Sequence, residues 1–332
     1  MPRGPSAGGE RGVPSRYLLR RLAQVLPTAA GLLVLNFCII HLAPGDPAVA
    51  LGGEHGDAAY YAFLRARFGL DRPLPEQLFT YVSNVLRGDL GTSFVHGRPV
   101  IAVIGERLPA TVLLVSSALA LSSVVGVWLG TLAARHGRRL PDVTLNIATL
   151  LGHATPSFWL GQLAVLILAV GTGFFPVQGM TDARNPGTGV RYLLDVLHHL
   201  ALPALVLAAN ELALTTRLVR TGLLEGLGTD YVRAARAKGL PEGLVIRHAL
   251  RNVMLPVVTV IGSRAGMFLA GAVLVEVVFA WPGLGRLLLS SLLARDYPVL
   301  LGMFLFISLG VILANLITDV AYAWLDPRIR YQ

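Results

Sequence analysis

Charge is scarce in this chain. Asp, Glu, Lys and Arg make up 14% of its 332 residues, against 54% hydrophobic residues, and the mean hydropathy is +0.63. A soluble protein of this length needs more charge to cover its surface, so the composition points to a membrane protein. Cysteine is nearly absent: Cys38 stands alone, which excludes a disulfide within the chain and a thiolate zinc site. Lysine is as rare. The one example, Lys238, follows an alanine, so there is no Gly-x-x-x-x-Gly-Lys phosphate loop and any ATP chemistry must come from another chain. His198 and His199 have no ligand partner at helical metal spacing, and His41, His153 and His248 stand alone. Gly4-Pro5-Ser6-Ala7-Gly8 matches a nucleophile elbow in letters only, because it lies in a polar tail with no strand before it. With no catalytic constellation, the chain reads as a non-enzyme.

What the chain does have is long uncharged runs. Residues 22–45, 108–134, 143–181 and 297–318 carry no charged side chain, and two further apolar stretches, 196–216 and 254–280, are broken only by Glu211 and by Arg264 and Glu276. A spanning helix needs roughly 20 apolar residues to cross ~30 Å of hydrocarbon. Six spans are expected, near 18–43, 109–134, 144–170, 197–219, 254–279 and 299–324. The alternation a barrel requires is missing, so the fold class is an all-α membrane protein. The first run is too long for a signal-peptide core, and Pro44-Gly45-Asp46-Pro47 follows it in place of a cleavage site. No internal repeat is evident, which counts against folds built from inverted repeats.

The remaining segments divide the chain further. Residues 1–15 form a disordered Gly/Pro/Arg tail, 16–43 a basic lead-in and the first span, and 44–108 an outer loop. That loop is too long for a simple connection and carries helical patterning at 57–68 and 75–87. Residues 109–324 form the transmembrane core, which includes an inner loop at 220–253, and 325–332 form a second tail. Placing both termini in the cytosol puts seventeen Lys/Arg on inner segments and ten on outer ones. This obeys the positive-inside rule. The formal charge of +9 then sets topology and lipid-headgroup contact, not a nucleic-acid surface.

Asn210, Glu211 and Arg264 lie within spans, where a charge at the bilayer centre costs about 2.5–3.5 kcal/mol even on lenient scales. They must face protein or water. Two readings remain open: a hydrogen bond or ion pair between helices, and a translocation path. If Arg264 faces such a path, it can attract a peptide carboxylate or pair with Glu211 when the path is empty. Glu276, ahead of Trp281-Pro282-Gly283, reads as a marker of the membrane interface.

The loop at 230–256 is the most informative segment. A helix is expected from an Asp230 N-cap to a Gly239 stop, with Pro241 beyond it. Tyr231, Ala234, Ala235, Lys238 and Gly239 share one side at i, i+3 and i+4. A second short helix, about 241–251, returns the chain to Pro256 and the fifth span. The small residues allow close seating in a cleft, and Arg233, Arg236 and Lys238 orient the knob. On composition alone, a solvated basic loop that only enforces topology fits as well.

Here the chain resembles a known family. The loop is similar to the cytoplasmic loop of ATP-binding cassette importer permeases, whose motif reads Glu-Ala-Ala-x-x-x-Gly and later an apolar-Pro pair. Ala234, Ala235, Gly239 and Pro256 match, and Arg233 stands in the glutamate position. RYLLRRLAQVLPTAAGLLVLNFCIIHLAPGDPA (16–48), LRGDLGTSF (86–94), ERLPATVLL (106–114), DYVRAARAKGL (230–240), RHALRNVMLPVV (247–258), EVVFAWPGLGRLLL (276–289), RDYPVL (295–300) and LDPRIRY (325–331) resemble the dipeptide/oligopeptide/nickel branch.

The resemblance implies a type I importer permease in the bacterial plasma membrane, multi-pass with both termini cytoplasmic. It implies a second homologous permease, two ATPase subunits and an extracytoplasmic solute-binding protein as partners. ATP and magnesium belong to those partners, with no cofactor in this chain. Tyr231, Arg233, Ala234, Ala235, Arg236, Lys238, Gly239 and Pro256 become coupling residues, and Asn210, Glu211 and Arg264 candidates for the path. Two departures stand out: the stretch from Gly239 to Pro256 is one residue short of the expected length, and Arg264 is unusual. The alternative is an ion-coupled carrier or channel acting without ATPases, which Glu211 and Arg264 would suit.

Overall fold

A computed structural model describes residues 27–38, 57–137, 140–184 and 187–325, with isolated positions 42, 48 and 49. The expected tail at 1–15, all but Leu325 of the tail at 325–332, the basic lead-in and Arg138-Arg139 lie outside the described residues, as do parts of the first span and of the start of the first loop. The described chain is helical: α1 Pro27–Cys38, α2 Ala58–Phe68, α3 Leu74–Leu86, α4 Val100–Arg135, α5 Leu140–Ala154, α6 Ser157–Ala164 continuing as a π-helical stretch Val165–Gly171, α7 Val190–Leu227, α8 Asp230–Ala237, α9 Glu242–Val278, α10 Leu284–Leu293 and α11 Tyr297–Leu325. Among the described residues there is no strand, only an isolated antiparallel bridge between Thr92 and Pro99.

Helices α4 and α7, α9 over Glu242–Gly262 and α11 over Tyr297–Ala314 are long and apolar enough to cross a membrane. The third expected span is not one helix. It breaks between Ala154 and Ser157 into two pieces inclined at 108°. The cause is local. Pro156, at φ −58° and ψ 135°, supplies no amide to the ladder, and the residue before a proline is pushed out of the helical region. The described part of the first expected span, α1, is a shorter apolar helix.

The second helix expected at 241–251 is also different. Helix α9 runs unbroken from Glu242 through Pro256 to Val278, so the loop and the fifth span are one element. Helix α7 begins at Val190, inside what reads as a loop on sequence.

Helices α4 and α7 pack closely through Gly126 and Gly130 one turn apart. A Cβ at Gly130 would sit 2.6 Å from the Thr216 carbonyl oxygen and 2.7 Å from the Val219 Cβ; one at Gly126 would sit 2.8 Å from the Thr215 Cβ. Small residues at this spacing let two membrane helices touch backbone to backbone, where dispersion rather than hydrophobicity holds them. Around that seam Leu114, Ala118, Leu200, Leu202, Phe268, Val275, Phe279 and Trp281 form the main buried cluster.

At one end of the bundle, α2 and α3 match the helical patterning of the long loop. Asp57 caps α2 by accepting the Tyr60 amide at 2.7 Å. Tyr81 of α3 stacks on Phe37 of α1 with ring centroids 6.1 Å apart. Its hydroxyl is buried with no hydrogen-bond partner among the described residues, and burial pushes the phenol up to about 12. An unpartnered buried hydroxyl costs about 1–3 kcal/mol. Tyr81→Phe is therefore expected to raise the melting temperature in mild detergent; a clear fall would contradict this burial.

Candidate functional site

Helix α8 sits on a short apolar anchor at the other end of the bundle. Val232 is buried against Leu223 of α7, Val245, Ile246 and Ala249 of α9, and Ala134 at the end of α4. The expected N-cap moves by one residue: Thr229 is the cap and Asp230 opens the helix. Thr229 gives its hydroxyl to the Gly226 carbonyl at 2.6 Å, leaving Asp230 to complement the helix dipole from the first turn. Gly239 follows the helix at φ +77°, the left-handed conformation that ends helices and costs other residues about 1–2 kcal/mol.

The residues of this turn differ in exposure. Arg233, Ala234, Ala237, Lys238 and Gly239 are exposed, and Tyr231 is 43% exposed. Ala235 is half-buried and packs on the Val232 anchor. The basic residues also differ. Arg236 is bound across the turn to Glu242 through Nε (3.2 Å) and Nη2 (2.7 Å). Arg233 lies 3.3 Å from Asp230 and donates to the Gly228 carbonyl, whereas Lys238 has no ion-pair partner among the described residues. What emerges is a small, mostly exposed helix, fixed by one valine and closed by one ion pair. Val232 escaped the motif reading, although it is the single branched aliphatic in DYVRAARA.

Close to this anchor a second pair ties the bundle. Asp142, buried in the first turn of α5, takes Arg220 of α7 side-on through Nε and Nη2, the latter at 2.7 Å. It fastens the first half of the broken span to α7.

Deeper in the bundle the structure brings Glu211 and Arg264 together. Arg264 Nε donates to both carboxylate oxygens of Glu211 at 2.9 Å, with the Arg264 side chain 30% exposed and that of Glu211 15%. Asn210 is drawn elsewhere: its amide donates to the His153 carbonyl at 3.1 Å. Near the end of α5 such carbonyls lose their intrahelical partners, and Asn210 satisfies one of them beside the 108° break. Pro256 lies inside α9 and so sets the path of one continuous helix, not the start of a span.

Glu276 is not an interface marker. It is fully buried, accepting the Thr111 hydroxyl at 2.6 Å and the amides of Gly285 at 2.6 Å and Arg286 at 3.3 Å. Thr111 in turn accepts the Leu284 amide at 2.7 Å, and the Trp281 indole donates to the Ala110 carbonyl at 2.8 Å. No Cβ fits at Gly283, where it would strike the Glu276 carboxylate, or at Gly285, where it would strike the Val273 backbone. Nearby, buried Asp296 accepts the Ser93 hydroxyl and the amides of Phe94 (3.0 Å) and Val95 (3.3 Å). A ring nitrogen of His198, of His199 and of His248 each lies within 3 Å of a backbone carbonyl oxygen. Among the described residues no cluster is suited to a metal.

Comparison with known proteins gives the family of the chain. Residues 126–331 match the family described as the inner membrane component of binding-protein-dependent transport systems, and residues 15–115 match the N-terminal family of such membrane components. The dipeptide transport system permease protein DppB of Escherichia coli K12 is 40% identical over 336 residues, covering 96% of this chain and 99% of its own length. The oligopeptide transport system permease protein AppB of Bacillus subtilis 168 is 37% identical, and the glutathione transport system permease protein GsiC of Salmonella choleraesuis SC-B67 is 40% identical. Each of these two aligns over 317 residues, 95% of this chain and 99% of its own. The chain belongs to the family of inner membrane components of binding-protein-dependent transport systems, and is an ABC importer permease of the dipeptide/oligopeptide type with the type I fold.

Proposed function

We propose that this permease carries short peptides inward through a path it forms with a second, homologous permease, driven by two ATPase subunits and supplied by an extracytoplasmic solute-binding protein. Both termini and the α8 end of the bundle face the cytosol, in line with the excess of Arg on those segments. The ATPases bind ATP and magnesium, and this chain contributes no catalytic group. The observation that carries the reading is the form of α8: a short helix with its small and basic residues outward, held to the bundle by buried Val232. Ala234 and Gly239 allow close seating in an ATPase cleft; Tyr231, Arg233 and Lys238 border it. Ala235 packs on the Val232 anchor and Arg236 ties the helix to Glu242 across the exposed turn, and Pro256 passes its motion into the fifth span. The coupling is mechanical, a small docked element moving a rigid one.

The test is to isolate tagged wild type and Ala234→Glu in mild detergent from the native host. Ala234 is exposed, so the substitution leaves the anchor intact while obstructing close approach. The second permease is expected with both proteins, the ATPases with wild type alone, and uptake should fall about tenfold or more, the equivalent of ~1.4 kcal/mol of lost docking. Wild type that purifies alone and still transports would instead establish the carrier without ATPases.

A further inference from the structure

We propose that Glu211 and Arg264 form a partner-exchange site for zwitterionic peptides, in which the peptide carboxylate takes the outer edge of Arg264 and its ammonium takes Glu211. This rests on the reading of the chain as a peptide permease. The geometry that carries it is unlike that of the three two-pronged arginine pairs. Arg220 meets Asp142, and Arg236 meets Glu242, through Nε and Nη2 each on its own oxygen. Arg98 meets Glu106 through both Nη atoms. Those are fork-to-fork contacts, the geometry in which a guanidinium and a carboxylate satisfy one another best. Arg264 instead places Nε between the two oxygens of Glu211, 2.9 Å from each. A guanidinium has five N–H donors, and the four on the Nη atoms of Arg264 meet no acceptor among the described residues.

Such donors inside a membrane-spanning bundle are costly unless something occupies them. Arg264 is the more exposed of the two side chains, 30% against 15% for Glu211, which leaves it within reach of a ligand. The edge is shaped for a second carboxylate. A bare anion would leave the site with net negative charge in a medium that penalises it. A zwitterion avoids this, because its ammonium offsets Glu211 as its carboxylate engages Arg264, and the site stays neutral before, during and after passage. Glu211 thus has two duties: it keeps Arg264 ionised and oriented when the path is empty, and it receives the amino terminus when the path is filled. The adjacent Asn210 ties this stretch of α7 to the break in the third span, so exchange at the pair is felt at the least regular point of the bundle.

The experiment uses the complete transporter in lipid vesicles and three probes: dialanine, its C-terminal amide and its N-acetyl derivative. Wild type is expected to prefer the free peptide over both derivatives. In Arg264→Gln the preference over the amide should shrink by about 10- to 100-fold, the usual worth of one or two charge-assisted hydrogen bonds. In Glu211→Gln the preference over the N-acetyl form should shrink instead. Uptake of all three probes lowered by one common factor, or unchanged preferences, would sink the exchange site while leaving the permease reading intact. Failure of both variants to hold the partner subunits would show the pair to be purely structural and overturn the proposal as well. No ATP-dependent uptake of any probe by wild type would overturn the peptide reading itself, and this inference with it.

Discussion

Glu276→Ala is expected to abolish the folded protein, whereas Glu276→Gln should fold, assemble and transport nearly as wild type does. The carboxylate is the common acceptor for the Thr111 hydroxyl and the amides of Gly285 and Arg286, with no solvent contact. Alanine leaves those donors buried without partners and opens a cavity where the side chain lay. At about 1–3 kcal/mol for each abandoned donor the loss is about 4 kcal/mol or more, a large part of a typical margin of about 5–15 kcal/mol. Glutamine keeps one acceptor oxygen for the two amides, and its amide nitrogen can donate to the Thr111 oxygen once that hydroxyl turns. Fluorescence-detected gel filtration of both variants measures the difference. Equal behaviour of Ala and Gln would mean that the carboxylate does not organise this turn.

The second large effect is expected at the other end of the bundle. Arg220→Ala removes the side-on guanidinium from a buried carboxylate at Asp142, and breaking such a pair costs about 3–5 kcal/mol. Asp142→Ala should cost less, because the Arg220 side chain is 23% exposed and can turn its head toward water. The double variant should recover part of the loss, since it removes the carboxylate together with its guanidinium partner. Melting in mild detergent, measured across salt concentrations, tests this. A surface pair would weaken as salt rises; this one should not. The same variants should lower transport more than their melting shift explains, because the pair fastens α5 to α7 beside the α8 anchor.

Much of this was readable in the chain, and what was not has physical causes. Helices α2 and α3 follow the patterning at 57–68 and 75–87 because their signals are local: an Asp57 cap and Gly69 beyond one, prolines at the start of the other. The break in the third span was equally local, written in Thr155-Pro156, but the uncharged run from 143 to 181 hid it. Glu276 was misread because its partner Thr111 lies 165 residues away. An acid near the end of an apolar run looks the same whether it meets water or a buried hydroxyl. Two segments that carried the family resemblance, 106–114 and 276–289, turn out to be the two halves of that contact. Likewise 86–94 and 295–300 meet through Ser93, Phe94 and Asp296. Within the α8 turn, the motif marked Ala234 and Gly239, which face outward, and Ala235, which is half-buried, while the aliphatic Val232 that anchors them fell between its letters.

Helix α9 joins three of these places on one axis: the α8 turn at its start, Arg264 along its length and Glu276 at its far end. If the α8 turn moves as proposed, the helix beyond Pro256 would act as a lever with the Glu276 contact as its fulcrum. At 1.5 Å per residue, Pro256 lies about 30 Å from that fulcrum and Arg264 about 18 Å. A sideways push of about 3 Å at Pro256 arrives at Arg264 as about 1.8 Å. That is enough to pull Nε out of hydrogen-bonding reach of Glu211, so the proposed stroke would also loosen the proposed exchange site.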